Sequence, residues 1–193
     1  PPAAYISNNF MAKYRNDKPY SIVAGPRRGA VSGNNVVGVE YIYDRKGLDA
    51  VEPFGLNVIV PSRGFGNIIN ANQTAQQNIK SALSSIHVRE LLIYIEENVQ
   101  QILKNYRWEF NTTQTRLEIK TLVDGFLSAI LNDGGLFNYT TVMNRINNTD
   151  EVIDNDMGII DIALEPVRGL GKLVNRVTIL KTGAIASGGF SIQ

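Results

Sequence analysis

Two amphipathic helices separated by a short polar break are predicted between residues 88 and 130. Along the first helix, apolar residues recur at intervals of three or four positions, at Leu91, Ile95, Val99, Ile102 and Tyr106. The second helix carries a similar series, at Leu122, Val123, Phe126, Leu127 and Ile130. Such spacing places each series on one face of its helix. Helices of this kind pack against another layer, which indicates a structural or assembly role rather than catalysis.

The ends of the second helix are also marked in the sequence. Asn111, Thr112 and Thr113 offer side-chain oxygens to the unpaired N–H groups of a helix start. Asn111 and Gln114 have the spacing of a loose capping box. The glycine pair at 134–135 predicts the C-terminal end of the helix.

Strand patterns lie on both sides of the helix pair. Short apolar runs at 56–60 and 68–69, joined by a glycine-containing turn, predict a strand pair. Residues 137–143 have strand composition, and residues 159–165 and 174–181 alternate apolar with polar side chains. We therefore predict an α+β fold in which a mixed sheet is covered on one face by two long antiparallel helices, followed by an extended C-terminal arm.

The N-terminal third gives weaker patterns. Residues 6–14 predict a short helix whose apolar side is Phe10, Met11 and Tyr14. The glycine-rich stretch 27–35 is expected to be a loop, and residues 73–83 are expected to form a short helix.

We expect three regions: an N-terminal helix and glycine-rich loop over 1–55, the α+β domain over 56–181, and the arm over 182–193. The arm has no charged residue, yet it keeps Ile185, Phe190 and Ile192. Phe190 and Ile192 face the same side of an extended strand, which favours addition to the edge of another chain's sheet. A frayed terminus is the alternative.

Charge and composition exclude several classes of function. The chain has 19 basic and 18 acidic side chains, so nothing favours nucleic acid or an anionic membrane as a partner. It has no cysteine, which removes disulfides and thiolate chemistry. No apolar run reaches the roughly 18 residues of a membrane-spanning helix, so no membrane insertion is expected. Because the chain begins without methionine, we expect a piece of a longer protein.

No catalytic residue, metal site or cofactor is predicted. The single histidine, His87, precedes the first long helix and is assigned a helix-start or packing role. Residues 63–66 contain a G-x-G but lack the third glycine of a dinucleotide-binding loop. Arg27 and Arg28 are of a type that can hold phosphate, but a contact to a neighbouring carboxylate is favoured.

An acidic cluster precedes the last predicted strands, at Asp150, Glu151, Asp154 and Asp156. It resembles the start of a calcium loop but lacks the downstream glutamate. A solvated loop is therefore expected here.

Taken in order, several short motifs resemble those of contractile phage tail sheath proteins, in the C-terminal part of the subunit. They are Y-S-I-V-A-G-P-R-R-G at 20–29, G-L-N at 55–57, V-R at 88–89, E-F-N-x-x-x-T-R at 109–116, N-T-x-x-V-I-D at 148–154 and I-x-L-x-P at 162–166. Each motif is weak alone, but the order spans most of the chain, from about residue 10 to residue 181.

The resemblance implies a non-enzymatic subunit that polymerises with copies of itself into a helical sheath and contracts, driving the tube through the host envelope for genome delivery. The implied partners are the tail tube, baseplate and tail terminator proteins, in a virion assembled in the host cytoplasm. Residues 182–193 would be an arm shared with a neighbouring subunit, through Ile185, Phe190 and Ile192. The family places the helix pair nearest the tube, so tube- or neighbour-facing charges are expected among Lys104, Arg107, Arg116 and Lys120.

Two alternatives remain open. The chain could belong to the sheath of a type VI secretion or phage-tail-like particle. From another class, a carbohydrate- or receptor-binding module would suit the Asn- and Thr-rich composition. That module requires an exposed aromatic platform, whereas we expect the only tryptophan, Trp108, to be half-buried in the helix break.

Overall fold

The structure, a computed structural model, describes residues 2–33 and 36–171. Its helices are α1 (Ala3–Asn16), α2 (Gly25–Arg28), α3 (Arg45–Val51), α4 (Ile86–Lys104), α5 (Thr113–Asn132) and α6 (Asp150–Asp154). Its strands are β1 (Ala30–Val31), β2 (Ile59–Ser62), β3 (Gly66–Ile69), β4 (Leu136–Val142) and β5 (Asp161–Pro166). Two 3₁₀ turns, Glu52–Phe54 and Ala82–Ser84, complete the described elements. None of the helices in this part of the chain has the length and apolar character needed to cross a bilayer.

The two long helices confirm the apolar series of the sequence except at Leu122, which is 49% exposed and lies outside the core cluster. Thr112, rather than Asn111, caps α5, because its hydroxyl oxygen accepts a hydrogen bond from the backbone N–H of Thr115 at 3.1 Å. At the other end, the N–H of Gly134 bonds to the carbonyl of Leu131 and that of Gly135 to the carbonyl of Ile130, both at 2.9 Å. Gly134 has φ +77°, as the left-handed C-terminal cap of a helix requires.

The main core lies between the two helices and the β4–β5 pair. Val123 and Leu127 on α5 are fully buried, and the apolar residues of α4 at 91, 95 and 99 pack in the same cluster. Ile160, Ile162 and Leu164 pack against it from the strand side, as their alternation predicts. The ring of Tyr94 on α4 lies 5.7 Å from the ring of Phe126 on α5. The two residues are at similar distances along the chain from the segment that joins the helices, so the helices form a hairpin.

The prediction of a single mixed sheet is wrong for the described residues, which form two separate antiparallel sheets. One has the order β1-β3-β2 and the other consists of β4 and β5. The first sheet packs against α1 around its own small core of Val23, Val31 and Ile69. Position 55 is the expected end of the N-terminal region. Backbone hydrogen bonds cross it, because β1 lies before this position and pairs with β3, which lies after it.

Three local predictions also need correction. The expected loop at 27–35 contains the end of α2 and the whole of β1. The expected helix at 73–83 is absent, because Thr74 and Ser81 bond locally to the backbone of this segment instead. On α1, Phe10 packs in the core as expected, but Met11 and Tyr14 are 62% and 55% exposed. The strand predicted at 174–181 lies outside the described residues.

Candidate interaction surfaces

The segment that joins α4 to α5, residues 105–112, is called the hairpin tip. It presents two aromatic rings to solvent: Trp108 is 91% exposed and Phe110 is 85% exposed. The expectation that Trp108 is half-buried is therefore wrong, because the ring is not part of the core cluster of α4 and α5; the Arg107 guanidinium lies 5.5 Å from its centroid. Trp108 also has φ +75°, a left-handed backbone that a bulky residue rarely adopts.

Arg116 lies directly behind the hairpin tip and is 4% exposed. Its guanidinium donates to the backbone oxygen of Asn111 at 3.1 Å and to the side-chain oxygen of Asn111 at 2.6 Å. It also donates to the hydroxyl of Thr113 at 3.2 Å. The prediction that Arg116 is a tube- or neighbour-facing charge is therefore wrong, since the guanidinium turns inward and holds the start of α5.

The other predicted charges lie on the surface. Lys104 and Arg107 are exposed at the end of α4 and in the hairpin tip. Lys120 forms an ion pair with Asp124 at 2.5 Å, with side chains about one-third exposed. Asp124 also accepts a hydrogen bond from the hydroxyl of Thr141 on β4, so this pair is tied to the strand layer.

A second projecting segment, residues 144–160, is called the α6 lobe. Asn148 is fully buried at its centre, where its side chain donates to the carbonyl of Ile159 and accepts from the N–H of Ile159, both at 2.8 Å. Three of the acidic residues expected in a loop instead lie in α6, with Asp150 and Glu151 in its first turn, where the helix dipole favours negative charge, and Asp156 follows the helix in a turn. Asp150 pairs with Arg145. In the part of the chain that the structure covers, no group of three or more metal-binding side chains is assembled.

The hairpin tip and the α6 lobe are neighbours. The side-chain amide of Asn111 donates to the backbone oxygen of Met157 at 2.8 Å. Asp156, the residue before Met157, has φ +55°. The two segments together are called the tip end; it carries exposed aromatic rings in the hairpin tip and exposed carboxylates in the α6 lobe.

A groove of about 430 Å³ lies between α1 and the segment formed by α2 and β1, and is called the arginine groove. It is lined by Asn9, Ala12, Lys13, Asn16, Asp17, Arg27, Arg28 and Ala30. Arg28 pairs with Asp17, which confirms the expected contact to a carboxylate. The backbone N–H of Lys18, at 2.9 Å, is the main reason that the pKa of Asp17 lies below its ordinary value, and Arg28 contributes.

A buried ion pair that the sequence did not reveal joins α1 to α4. The ammonium of Lys13, whose side chain is fully buried, lies 2.6 Å from a carboxylate oxygen of Glu90. Tyr14 donates its hydroxyl to the same oxygen at 2.8 Å. Burial lowers the pKa of Lys13, and burial, assisted by Glu90, raises the pKa of Tyr14 to about 12.

His87 has the packing role expected of it. Its Nδ1 lies 2.6 Å from the side-chain nitrogen of Asn72, and its Nε2 lies 3.2 Å from the carbonyl of Val167. The amide is a donor and the carbonyl an acceptor, so this geometry fits the neutral ring with the proton on Nε2. Burial lowers the pKa of His87 below its ordinary value.

The predicted arm residues Ile185, Phe190 and Ile192 lie outside the described residues. Within the described part of the chain, β4 and β5 pair only with each other. Each therefore has an outer edge on which a further strand could form backbone hydrogen bonds.

Comparison with known sequences gives consistent matches. Residues 79–179 match a family model described as the phage tail sheath C-terminal domain. The chain is 28% identical over 167 residues to the tail sheath protein of Vibrio phage KVP40, and 25% identical over 161 residues to that of Enterobacteria phage T4. These alignments cover 86% and 83% of this chain but 24% of each relative. The chain thus spans about a quarter of the length of these curated relatives.

Solved structures with the same fold come from contractile particles. A cryo-EM structure of the anti-feeding prophage baseplate has a TM-score of 0.81 and 20% identity, covering 94% of this chain and 51% of the other. The sheath complex of an extracellular contractile injection system, PVC, in its contracted state has a TM-score of 0.82 and 18% identity, covering 92% and 51%. At these identities the likeness establishes a shared fold.

Proposed function

Because this chain belongs to the phage tail sheath family, whose C-terminal-domain model matches residues 79–179, we propose that it forms the assembly domain of a tail sheath subunit. In this proposal the subunit polymerises with copies of itself into a helical sheath around a tail tube. The family match is the observation that carries the proposal. The fold supports it, because a helical hairpin over a two-stranded sheet offers surfaces for neighbours.

The outer edges of β4 and β5, which are unpaired among residues 2–33 and 36–171, support a shared sheet between subunits. We propose that residues 182–193 extend from one subunit and add a strand at such an edge on a neighbour. Main-chain hydrogen bonds would supply affinity, while Ile185, Phe190 and Ile192 would fill apolar pockets. The same arms would keep the lattice connected while the subunits move.

Contact with the tube or with a neighbouring subunit is proposed for the exposed charges of the helix pair. With Arg116 buried, the remaining candidates are Lys104, Arg107 and Lys120. Lys120 is already paired with Asp124, so Lys104 and Arg107 are the stronger candidates. Electrostatic contacts of this kind can be remade as the sheath slides along the tube.

The proposed work of the sheath is mechanical rather than chemical. We propose that the contracted lattice forms better interfaces than the extended one, so that contraction releases stored free energy cooperatively and drives the tube through the host envelope. No step of this proposed mechanism breaks or forms a covalent bond, so none needs a catalytic residue. Baseplate and tail terminator proteins would lie at the two ends of the sheath. The sheath would assemble in the host cytoplasm and become part of the virion.

A secretion or injection particle is the alternative within the same mechanical class. The sequence relatives given above are phage proteins, which favours a phage tail. The genes that neighbour the parent gene distinguish the two, because a phage tail is encoded beside capsid and packaging genes.

The exposed aromatic rings are the one observation that favours a carbohydrate-binding module. Sugar binding also needs free polar groups beside the rings. At the hairpin tip the side chain of Asn111 is already bonded through its nitrogen to Met157 and through its oxygen to Arg116. Assembly therefore explains the rings better, and a glycan array with the purified chain should give no binding.

Electron microscopy of the full subunit expressed alone tests the proposed function. We expect tubular polymers built from repeating rings. A subunit that stays monomeric at high concentration, with or without its tube protein, would contradict the proposal.

A further inference from the structure

We propose that the hairpin tip of one subunit docks in the arginine groove of the next, a head-to-tail contact between copies of this chain. This contact deepens the proposed function and rests on it, because it names a surface through which the copies would meet. The contact does not involve the C-terminal arm at 182–193, and all of its residues lie in the described part of the chain.

The hairpin tip has the properties of an interface anchor. Trp108 and Phe110 are almost fully exposed, and Met157 beside them is 49% exposed. Tryptophan and arginine are among the residues that contribute most to protein interfaces, and Arg107 accompanies the Trp108 ring. Rings that the described part of the chain leaves in water favour association, because a partner that covers them removes apolar surface from water.

The backbone at this end is held in an unusual conformation. Among the described residues, Trp108 and Asp156 are the non-glycine positions with positive φ. They flank the hydrogen bond between Asn111 and Met157 that joins the hairpin tip to the α6 lobe. Local strain of this kind concentrates at functional sites.

Buried polar groups hold both segments in place. Arg116 fixes Asn111 from behind, and Asn148 ties the α6 lobe to Ile159. A contact surface that is rigid before binding loses less conformational entropy on association. The exposed rings are therefore presented by a preorganised support.

The arginine groove offers matching chemistry. Arg27 is exposed and makes no ion pair within the described residues. Its guanidinium can stack on an aromatic ring or pair with a carboxylate, and Ala12 and Ala30 supply small apolar walls. The tip end carries exposed carboxylates beside its rings, at Glu109, Glu151, Asp154 and Asp156. The tip end also carries Arg107 and Arg145, and the groove carries Asp17 beside its three basic residues, so the two surfaces have opposite net charge.

The positions of the two surfaces favour a repeating contact. The hairpin tip follows Lys104 at the C-terminal end of α4. Lys13 lines the arginine groove and pairs with Glu90, which lies near the N-terminal end of the same helix. A helix of 19 residues is about 28 Å long, so the two surfaces lie at opposite ends of a rigid rod. Head-to-tail contacts of this kind generate rings or helical filaments, whereas a self-complementary patch would stop at a dimer.

A photocrosslinking experiment tests the contact directly. Phe110→p-benzoylphenylalanine is placed in the full subunit, assembled sheaths are irradiated, and crosslinked peptides are mapped by mass spectrometry. We expect covalent dimers in which position 110 of one copy joins residues 9–30 of another. Phe54, which is 76% exposed in the 3₁₀ turn Glu52–Phe54, provides the matched control and should give no link to residues 9–30.

The outcomes separate this contact from the proposed function. Normal sheaths whose position 110 links to the tube protein, to another region of a copy, or to nothing would overturn the contact and leave the sheath role intact. Failure of the unmodified subunit to form any sheath would overturn both.

Charge exchange gives a second test. Arg27→Glu and Asp154→Arg should each raise the concentration needed for assembly about tenfold, and the double variant should restore assembly. Arg45→Glu on α3, also an exposed arginine, is the control and should have little effect. No recovery in the double variant would contradict the pairing.

Trp108→Gly separates folding from assembly. Glycine relieves the left-handed backbone, so the isolated chain should keep or raise its melting temperature while assembly falls. Unchanged assembly would count against the docking role of the ring.

Discussion

At the residue scale, Arg116 fixes the conformation of an exposed turn from inside the protein. Three hydrogen bonds from its guanidinium reach Asn111 and Thr113, and Asn111 in turn bonds to Met157. A buried cation needs such partners to offset its lost hydration. Arg116 therefore holds the conformation of an exposed turn although its own side chain is buried.

Arg116→Leu should reduce the free energy of unfolding of the chain by about 2–4 kcal/mol, because it leaves the Asn111 oxygens without their charged donor. Urea denaturation followed by circular dichroism measures the change. Lys104→Leu, at an exposed position, should change it by under about 0.5 kcal/mol. Equal effects of the two substitutions would mean that the Arg116 contacts contribute little.

His87 should make stability depend on pH. Burial holds the pKa of the folded state below the ordinary value of about 6.5, so the unfolded chain binds the proton more readily. The contribution of His87 is constant at higher pH, and stability falls as the pH drops through about 6.5. Denaturation between pH 5 and pH 8 should show a smaller fall for His87→Gln than for the unmodified chain. Parallel curves would contradict the neutral buried ring.

At the element scale, the helical hairpin and the β4–β5 pair share one core. Val123 and Leu127 point into it from α5, while Leu122 and Leu117 lie on the outer face, 49% and 55% exposed. The same helix therefore stabilises the fold on one side and leaves an apolar surface on the other.

Leu127→Ala should reduce the free energy of unfolding by about 3–5 kcal/mol, because it leaves a cavity at a fully buried position. Leu122→Ala is the matched control at a half-exposed position and should cost less than about 1 kcal/mol. Chemical denaturation of the two variants compares them. Similar losses would show that α5 is rotated relative to the described packing.

Local periodicity explains why these elements could be predicted from the sequence. The spacing of apolar residues identified α4 and α5, and the alternation of Ile160, Ile162 and Leu164 identified the strand layer. Short elements gave no such signal: β1 has two residues, and α3 depends on one cap, in which Asp44 accepts from the N–H of Gly47 at 2.7 Å. The separation into two sheets was missed for a different reason, because the pattern within a strand does not show which other strand it pairs with.

Contacts between distant residues could not be read from local patterns. Lys13 and Glu90 are 77 positions apart, and each resembles an ordinary surface charge in its own helix. The exposure of Trp108 was missed because the length of the polar break does not show how far it projects. The candidate interaction surfaces therefore required the structure, whereas the family resemblance did not.

At the scale of the whole molecule, polar contacts join two parts of the fold. One is α1 with the first sheet, and the other is the helical hairpin of α4 and α5. Glu90 receives Lys13 and Tyr14, while Lys18 pairs with Asp133 at 2.9 Å. The rings of Tyr20 and Tyr94 lie 6.2 Å apart at the same boundary. A subunit that moves as one body within a lattice needs such a junction.

Glu90→Ala should reduce the free energy of unfolding by about 3–5 kcal/mol, because it leaves Lys13 buried without its partner. The double variant Lys13→Met with Glu90→Leu should recover most of that loss, since no charge remains to be buried. Thermal and chemical denaturation of the three proteins gives the comparison. A loss below about 1 kcal/mol for Glu90→Ala would mean that water reaches the pair.

Removal of residues 182–193 from the full subunit, followed by electron microscopy, tests most directly whether this protein works by binding copies of itself. We predict that the truncated subunit keeps the circular dichroism spectrum and melting temperature of the intact one but no longer forms tubes. Tubes of normal length and regularity from the truncated subunit would contradict the account.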